Sequence, residues 1–208
     1  MCLTSPVATN PPLVRRGLRL EYATLAWNVV GVAVLAVGAW RARSVALAGF
    51  GFDTIVEIGA SAVVVWELND RHQRRRRRAL RWIGASFLVL IVYVVSLGVL
   101  AVVEGIRPDH SPLGILWTSA TAAVMFALAA GKARVGRLLN NVVLITEGRV
   151  TFVDALLALA VLVGLVLNAL LGWWWADPLA ALVIVYYAQR EAHEAFAHQR
   201  SALAQGQE

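Results

Sequence analysis

The stretch GFGFDTIVEIGASAVVVWEL, residues 49–68, sets Asp53 and Glu57 inside a run that is otherwise almost wholly apolar or small. Two carboxylates there need a physical reason, and composition narrows it. Of the 208 residues, 59% are hydrophobic and 15% charged, against roughly 45–50% and 25% in a typical soluble domain. This chain is built for lipid. Uncharged runs recur at 22–40, 82–103, 111–131 and 155–176, each close to the roughly 20 residues a helix needs to cross about 30 Å of hydrocarbon. The quoted stretch belongs to a fifth run, 44–66, and a sixth begins at Asp177–Pro178 and continues into REAHEAF. These patterns predict an all-α membrane protein with six transmembrane helices at about 22–40, 44–67, 82–103, 111–131, 147–172 and 177–194. They form one domain over 20–197, between an N-terminal tail at 1–19 and a C-terminal tail at 198–208.

Orientation follows from the basic residues, because short loops rich in Lys and Arg stay cytoplasmic. Arg15, Arg16 and Arg19 precede the first helix, RHQRRRRRALR (71–81) follows the second, and Lys132, Arg134 and Arg137 follow the fourth. The alternate loops are short and weakly charged, so both termini are expected in the cytoplasm. Trp173, Trp174 and Trp175 fit an outer aromatic belt. The first run is longer than the 7–15 apolar residues of a signal peptide and WRARS lacks an A-x-A cleavage pattern, so it is expected to stay as an anchor in a bacterial-type plasma membrane. The single cysteine, Cys2, excludes an intramolecular disulfide and a thiolate cluster. The pI near 10.4 is explained by topology and anionic lipid heads, with no nucleic-acid partner implied.

The chain also repeats itself. A shift of 97 residues lays SVALAGFGFDTIVE (44–57) over NVVLITEGRVTFVD (141–154). Val45, Leu47, Gly51, Thr54 and Val56 then fall on Val142, Leu144, Gly148, Thr151 and Val153, and Glu57 falls on Asp154. With three helices in each copy, the second would enter the membrane from the other side, giving two inverted repeats with a site near the midplane.

Asp53 and Glu57, four apart, share one helical face about 6 Å from each other. Glu57 lies nine residues from Trp66, about 13 Å along a helix and so near the centre of the membrane. A carboxylate at that depth costs about 3 kcal/mol on insertion scales and usually serves transport or proton relay. Asp154 supplies a third acid, and three carboxylates with no basic residue on the same faces would hold a metal cation. Crowded in a low dielectric, they would share protons that an arriving dication displaces. An oxygen-only site suits manganese, iron, magnesium or calcium, while zinc is also satisfied by three acids with a water or Thr151.

Each residue also has a plainer reading. Asp53 and Glu57 could be protonated acids bonded to a neighbouring helix, and Asp154 an acid at a helix start. Glu147 and Thr151 share the face of Asp154 as further members of the site or pathway, yet Thr151 could simply pack helices and Glu147 pair with Arg149. Asn28 and Asn168 read as interhelical hydrogen-bonders. Asp177 reads as the N-cap of its own helix, with Pro178 at the first helical position. His72 and His110 lie in loops without a Ser or Cys to serve. No nucleophile motif or phosphate loop of useful specificity is present, so no catalytic residue, no enzyme activity and no cofactor are expected.

Six helices, the acid pair on the second, and an acid on the fifth followed by GWWWADPLAALVI resemble the transmembrane domain of the cation diffusion facilitators. The likeness runs from about residue 20 to 194 and is greatest to a small branch with WNVV on the first helix and GFGFDTIVE on the second. It implies metal ligands at Asp53, Glu57 and Asp154, and places Val150 where many zinc exporters carry histidine. Gly31 stands where the nearest branch often has an acid, and an Arg run replaces a His-rich loop. The chain stops about a dozen residues past the sixth helix, with no room for a ferredoxin-like cytoplasmic domain. The implied function is export of a divalent cation in exchange for protons by a homodimer, with zinc narrowly ahead of manganese and iron. A non-transporting cation-binding or regulatory membrane protein, or a proton-coupled carrier of an organic cation, remains open. The topology is directly testable: a cysteine replacing Arg76 should label only from the cytoplasm and one replacing Asp109 only from outside, and labelling of both from one side contradicts the six-helix inverted arrangement.

Overall fold

The computed structural model of the protein describes residues 11–69, 73–140 and 142–204, with side chains over 12–59, 84–140 and 144–193. Cys2, His72 and the outermost residues of both expected tails lie outside the described residues. The described chain forms α1 (Pro11–Ala42), α2 (Val45–Asn69), α3 (Gln73–Val103), α4 (Pro112–Leu139), α5 (Val142–Leu171) and α6 (Ala176–Ala204). Four described segments are long and apolar enough to cross a membrane: Pro12–Ala42, Gly84–Val103, Pro112–Leu139 and Leu144–Leu171.

The helices outrun the uncharged stretches that announce them. Arg15, Arg16 and Arg19 are exposed on the first turns of α1, and the arginine run expected as a loop lies on the first turns of α3. Charges at the ends of a bundle do not stop a helix; they only mark where it meets water. α4 likewise continues through Lys132, Arg134 and Arg137, and α6 runs past the expected tail boundary.

Local chemistry fixes the turns. Ser111 caps α4 by accepting a bond from the Gly114 amide at 3.1 Å, with proline at the start of the helix. α1 and α4 each hand over to the next helix through one non-glycine residue in the left-handed region, Arg43 (φ 50) and Asn140 (φ 51), which lets a helix end reverse direction. These two residues are 97 apart, as are Ala42 and Leu139, and Val45 and Val142. Thr54 and Thr151, also 97 apart, both donate to the carbonyl four residues back, Phe50 at 2.8 Å and Glu147 at 2.9 Å. The offset that aligns the sequence thus aligns the helix ends, the turn conformations and two threonine bonds.

One end of the bundle is tied by three cross-links. The Asp109 amide donates to the Ala42 carbonyl at 2.8 Å, and Asn168 Nδ2 donates to the Pro108 carbonyl at 2.9 Å. The third corrects the expected role of Asp177. It lies within α6, which begins at Ala176, and its carboxylate caps α2 instead, accepting from the Ser44 hydroxyl, the Val45 amide at 2.8 Å and the Ala46 amide at 3.2 Å. At the other end the start of α1 meets α4 and α5, where a Cβ on Gly17 would sit 3.1 Å from Leu144 Cδ2.

Between the ends, Leu35, Leu47, Leu90, Val161 and Ile184 form the apolar core. Small residues let backbones close on one another, as lipid-embedded helices require. A Cβ on Gly164 would come within 2.9 Å of Ala180 Cβ, and one on Gly148 within 3.0 Å of the Ala133 amide nitrogen. Large apolar side chains face outward, with Trp40 82% and Leu170 77% exposed. Trp173 stacks on Trp175 at 4.9 Å in the turn between α5 and α6. Because Asp177 satisfies the first amides of a helix from a different segment, Asp177→Ala should destabilise the purified protein by roughly 2 kcal/mol, read as a lower thermal midpoint in detergent. An unchanged midpoint would show that the cross-helix cap carries no weight.

Candidate metal centre and a buried lysine

Glu57 lies 12 residues past the start of α2 and Asp154 12 past the start of α5, each about 18 Å into its helix at 1.5 Å per residue. The helices begin at opposite ends of the bundle, so the two acids reach a similar depth. Both side chains reach one small cavity, which brings the two carboxyl groups together. Asn28 of α1 fixes the other side of the pair, donating to Glu57 Oε2 at 2.9 Å. Asp154 Oδ2 is buried with no hydrogen-bond partner.

On the face of this acid lies a small cavity of about 10 Å³, lined by Asn28, Glu57 and Asp154 together with Thr121 and Met125. That is room for one water-sized species. Trp27 and Trp117 also line it, stacked at 4.8 Å, with Trp27 Nε1 donating to Thr121 Oγ1 at 3.2 Å. The lining brings an amide, a hydroxyl and a thioether beside the acids, a more varied set than oxygen from carboxylates alone.

Asp53 does not line this cavity. It is buried one turn from Glu57, within electrostatic reach of Glu57, Asp154 and Glu191. Among the described residues, no three His, Cys, Asp or Glu side chains stand close enough together to hold a metal ion. Glu57 and Asp154 thus share the cavity, with the Asp53 carboxyl one turn away on α2. Val150 is half-buried on α5, while Thr151 and Glu147 are buried.

Lys132, expected to follow the fourth helix in a cytoplasmic loop, instead lies within α4. Lys132 is fully buried. Its ammonium donates to Glu21 Oε2 at 2.9 Å and to Thr151 Oγ1 at 3.1 Å, and stands 3.6 Å from Glu147 Oε2. Its charge also reaches Asp154. Glu147 thus pairs with Lys132, while Arg149 is exposed. Gly136 and Gly148 make the burial possible by drawing α4 and α5 together on either side of it: a Cβ on Gly136 would lie 2.9 Å from the Ile145 amide nitrogen.

The sequence held a signal for both missed residues. Met125, Ala129, Lys132 and Gly136 fall at helical spacing on the buried face of α4, so Lys132 continues the inner stripe, whereas Arg134 and Arg137 leave it. Glu21, Thr24, Asn28 and Leu35 form a similar buried stripe on α1. A family model described as the cation efflux transmembrane domain matches residues 82–203, from α3 through α6, which includes Lys132, Glu147, Thr151 and Asp154. A search of curated proteins finds no match.

Proposed function

The chain belongs to the cation efflux family of metal-cation transporters, and on that premise we propose that it exports a divalent cation from the cytoplasm in exchange for protons at Glu57 and Asp154. Zinc is narrowly the first choice of cargo, with manganese and iron next. The observation that carries the reading is the carboxyl pair itself: two acids from α2 and α5 brought together at mid-depth on one water-sized cavity, with an unpartnered Asp154 oxygen beside it. A dication binds the ionised form of both carboxyls, so metal and proton compete for one site. Asn28 orients Glu57, and Asp53 adds a further titratable carboxyl one turn away. The shared 97-residue offset of turns and helix ends supports two inverted repeats that rock about this point to alternate access. A second copy of the chain in the bilayer, with both termini cytoplasmic, completes the proposed assembly.

In proteoliposomes with a trapped pH dye, the wild type should move protons against added zinc or manganese. Glu57→Gln and Asp154→Asn keep shape but each remove an ionisable ligand, and should cut that flux at least about tenfold, the equivalent of roughly 1.4 kcal/mol. Asp53→Asn should lower it less. Normal metal-dependent flux in all three folded variants would mean that the acids are structural, and would sink the proposal.

A further inference from the structure

Lys132 is the most deeply buried charged side chain among the described residues, at 0% exposure. An ammonium is costly inside a membrane and is kept only where specific partners hold it. Here they come from two other helices: Glu21 on α1, and Glu147 and Thr151 on α5. Lys132 on α4 therefore fastens three helices with one charged group.

The donor set is more acidic than a lysine needs. Two carboxylates face one ammonium, and Glu21 Oε1 is buried without a partner. The cluster therefore offers more acidic oxygens than the one ammonium engages. Its position is equally pointed. Glu147 and Thr151 precede Asp154 on α5 by seven and three residues, so Glu147 lies about 10 Å nearer the end where α1 begins. Along α5, the Lys132 cluster thus stands between that end and Asp154.

We infer that Glu21, Glu147 and Thr151 form a gate site for a divalent cation, latched in this conformation by the Lys132 ammonium acting as a tethered substitute. The inference rests on the proposed cation transport. An arriving dication carries twice the charge of the ammonium and takes over its carboxylates. The release of Lys132 unties α1 from α4 and α5, which opens this end of the bundle. Once the ion has moved on to Glu57 and Asp154, the ammonium returns to Glu21 and closes the path behind it.

The test uses full-length protein in proteoliposomes, with Cys2→Ser removing the native thiol and Ala129→Cys as reporter. Ala129 is buried on the same face of α4, three residues inside Lys132. A membrane-impermeant maleimide should label this cysteine slowly, and added manganese, a poor thiol ligand, should accelerate labelling. Lys132→Met should accelerate it at least about tenfold without metal, a shift of one decade in the open population, and Glu21→Gln should do so to a lesser extent. If Lys132→Met does not fold, the Glu21→Gln and manganese arms still decide. Equal labelling rates with and without manganese and in every folded variant would overturn the latch. Metal-driven proton flux in the same vesicles separates this from the underlying reading. Unchanged labelling with normal, Glu57-dependent flux removes only the latch, whereas flux that survives Glu57→Gln removes the exchange site whatever the labelling shows.

Discussion

Hydrocarbon offers a buried carboxylate or ammonium no water, so each must find its partner on a neighbouring helix. That constraint organises this bundle. Glu57 finds Asn28 and Asp154, linking α2 to α1 and α5; Lys132 finds Glu21, Glu147 and Thr151, linking α4 to α1 and α5; Asp177 finds the first turn of α2, linking it to α6. Apolar packing between helices adds little direction in lipid, where the surrounding tails are as apolar as leucine. The polar links therefore set which helices meet and in what register.

Glycines make these links reachable. Gly136 and Gly148 draw α4 and α5 close enough for Lys132 to be enclosed, and Gly164 does the same for α5 and α6 where Asp177 projects. α1 is the common partner, since Glu21 and Asn28 on one buried stripe serve the lysine cluster and the carboxyl pair respectively. Any movement of α1 relative to α5 must disturb both sites together. Such coupling is what alternating access about a fixed midplane site demands.

Much of this was legible in the residues. The uncharged runs gave six helices in order, and the 97-residue shift that lays Glu57 over Asp154 also lays helix ends and turn residues over one another. What escaped has a common physical cause. Lys132 sits in the sequence among Arg134 and Arg137, and a positive charge near a helix end reads as an interfacial marker unless its helical register is followed. Asp177 before Pro178 has the local pattern of a cap, and nothing local reveals that its hydrogen bonds go to residues more than 130 positions away. Asp53 shares a helical face with Glu57, and helical spacing alone does not tell which of the two lines the cavity.

The central claim is that a dication and protons compete for one pair of membrane-buried carboxyls. Uptake of radiolabelled zinc or manganese into proteoliposomes under an imposed pH gradient tests it most directly. The account predicts accumulation of metal against its own gradient in vesicles that are acidic inside, and collapse of that accumulation when a protonophore dissipates the pH difference. Metal accumulation that is indifferent to the pH gradient, or its absence from vesicles holding folded protein, would contradict it.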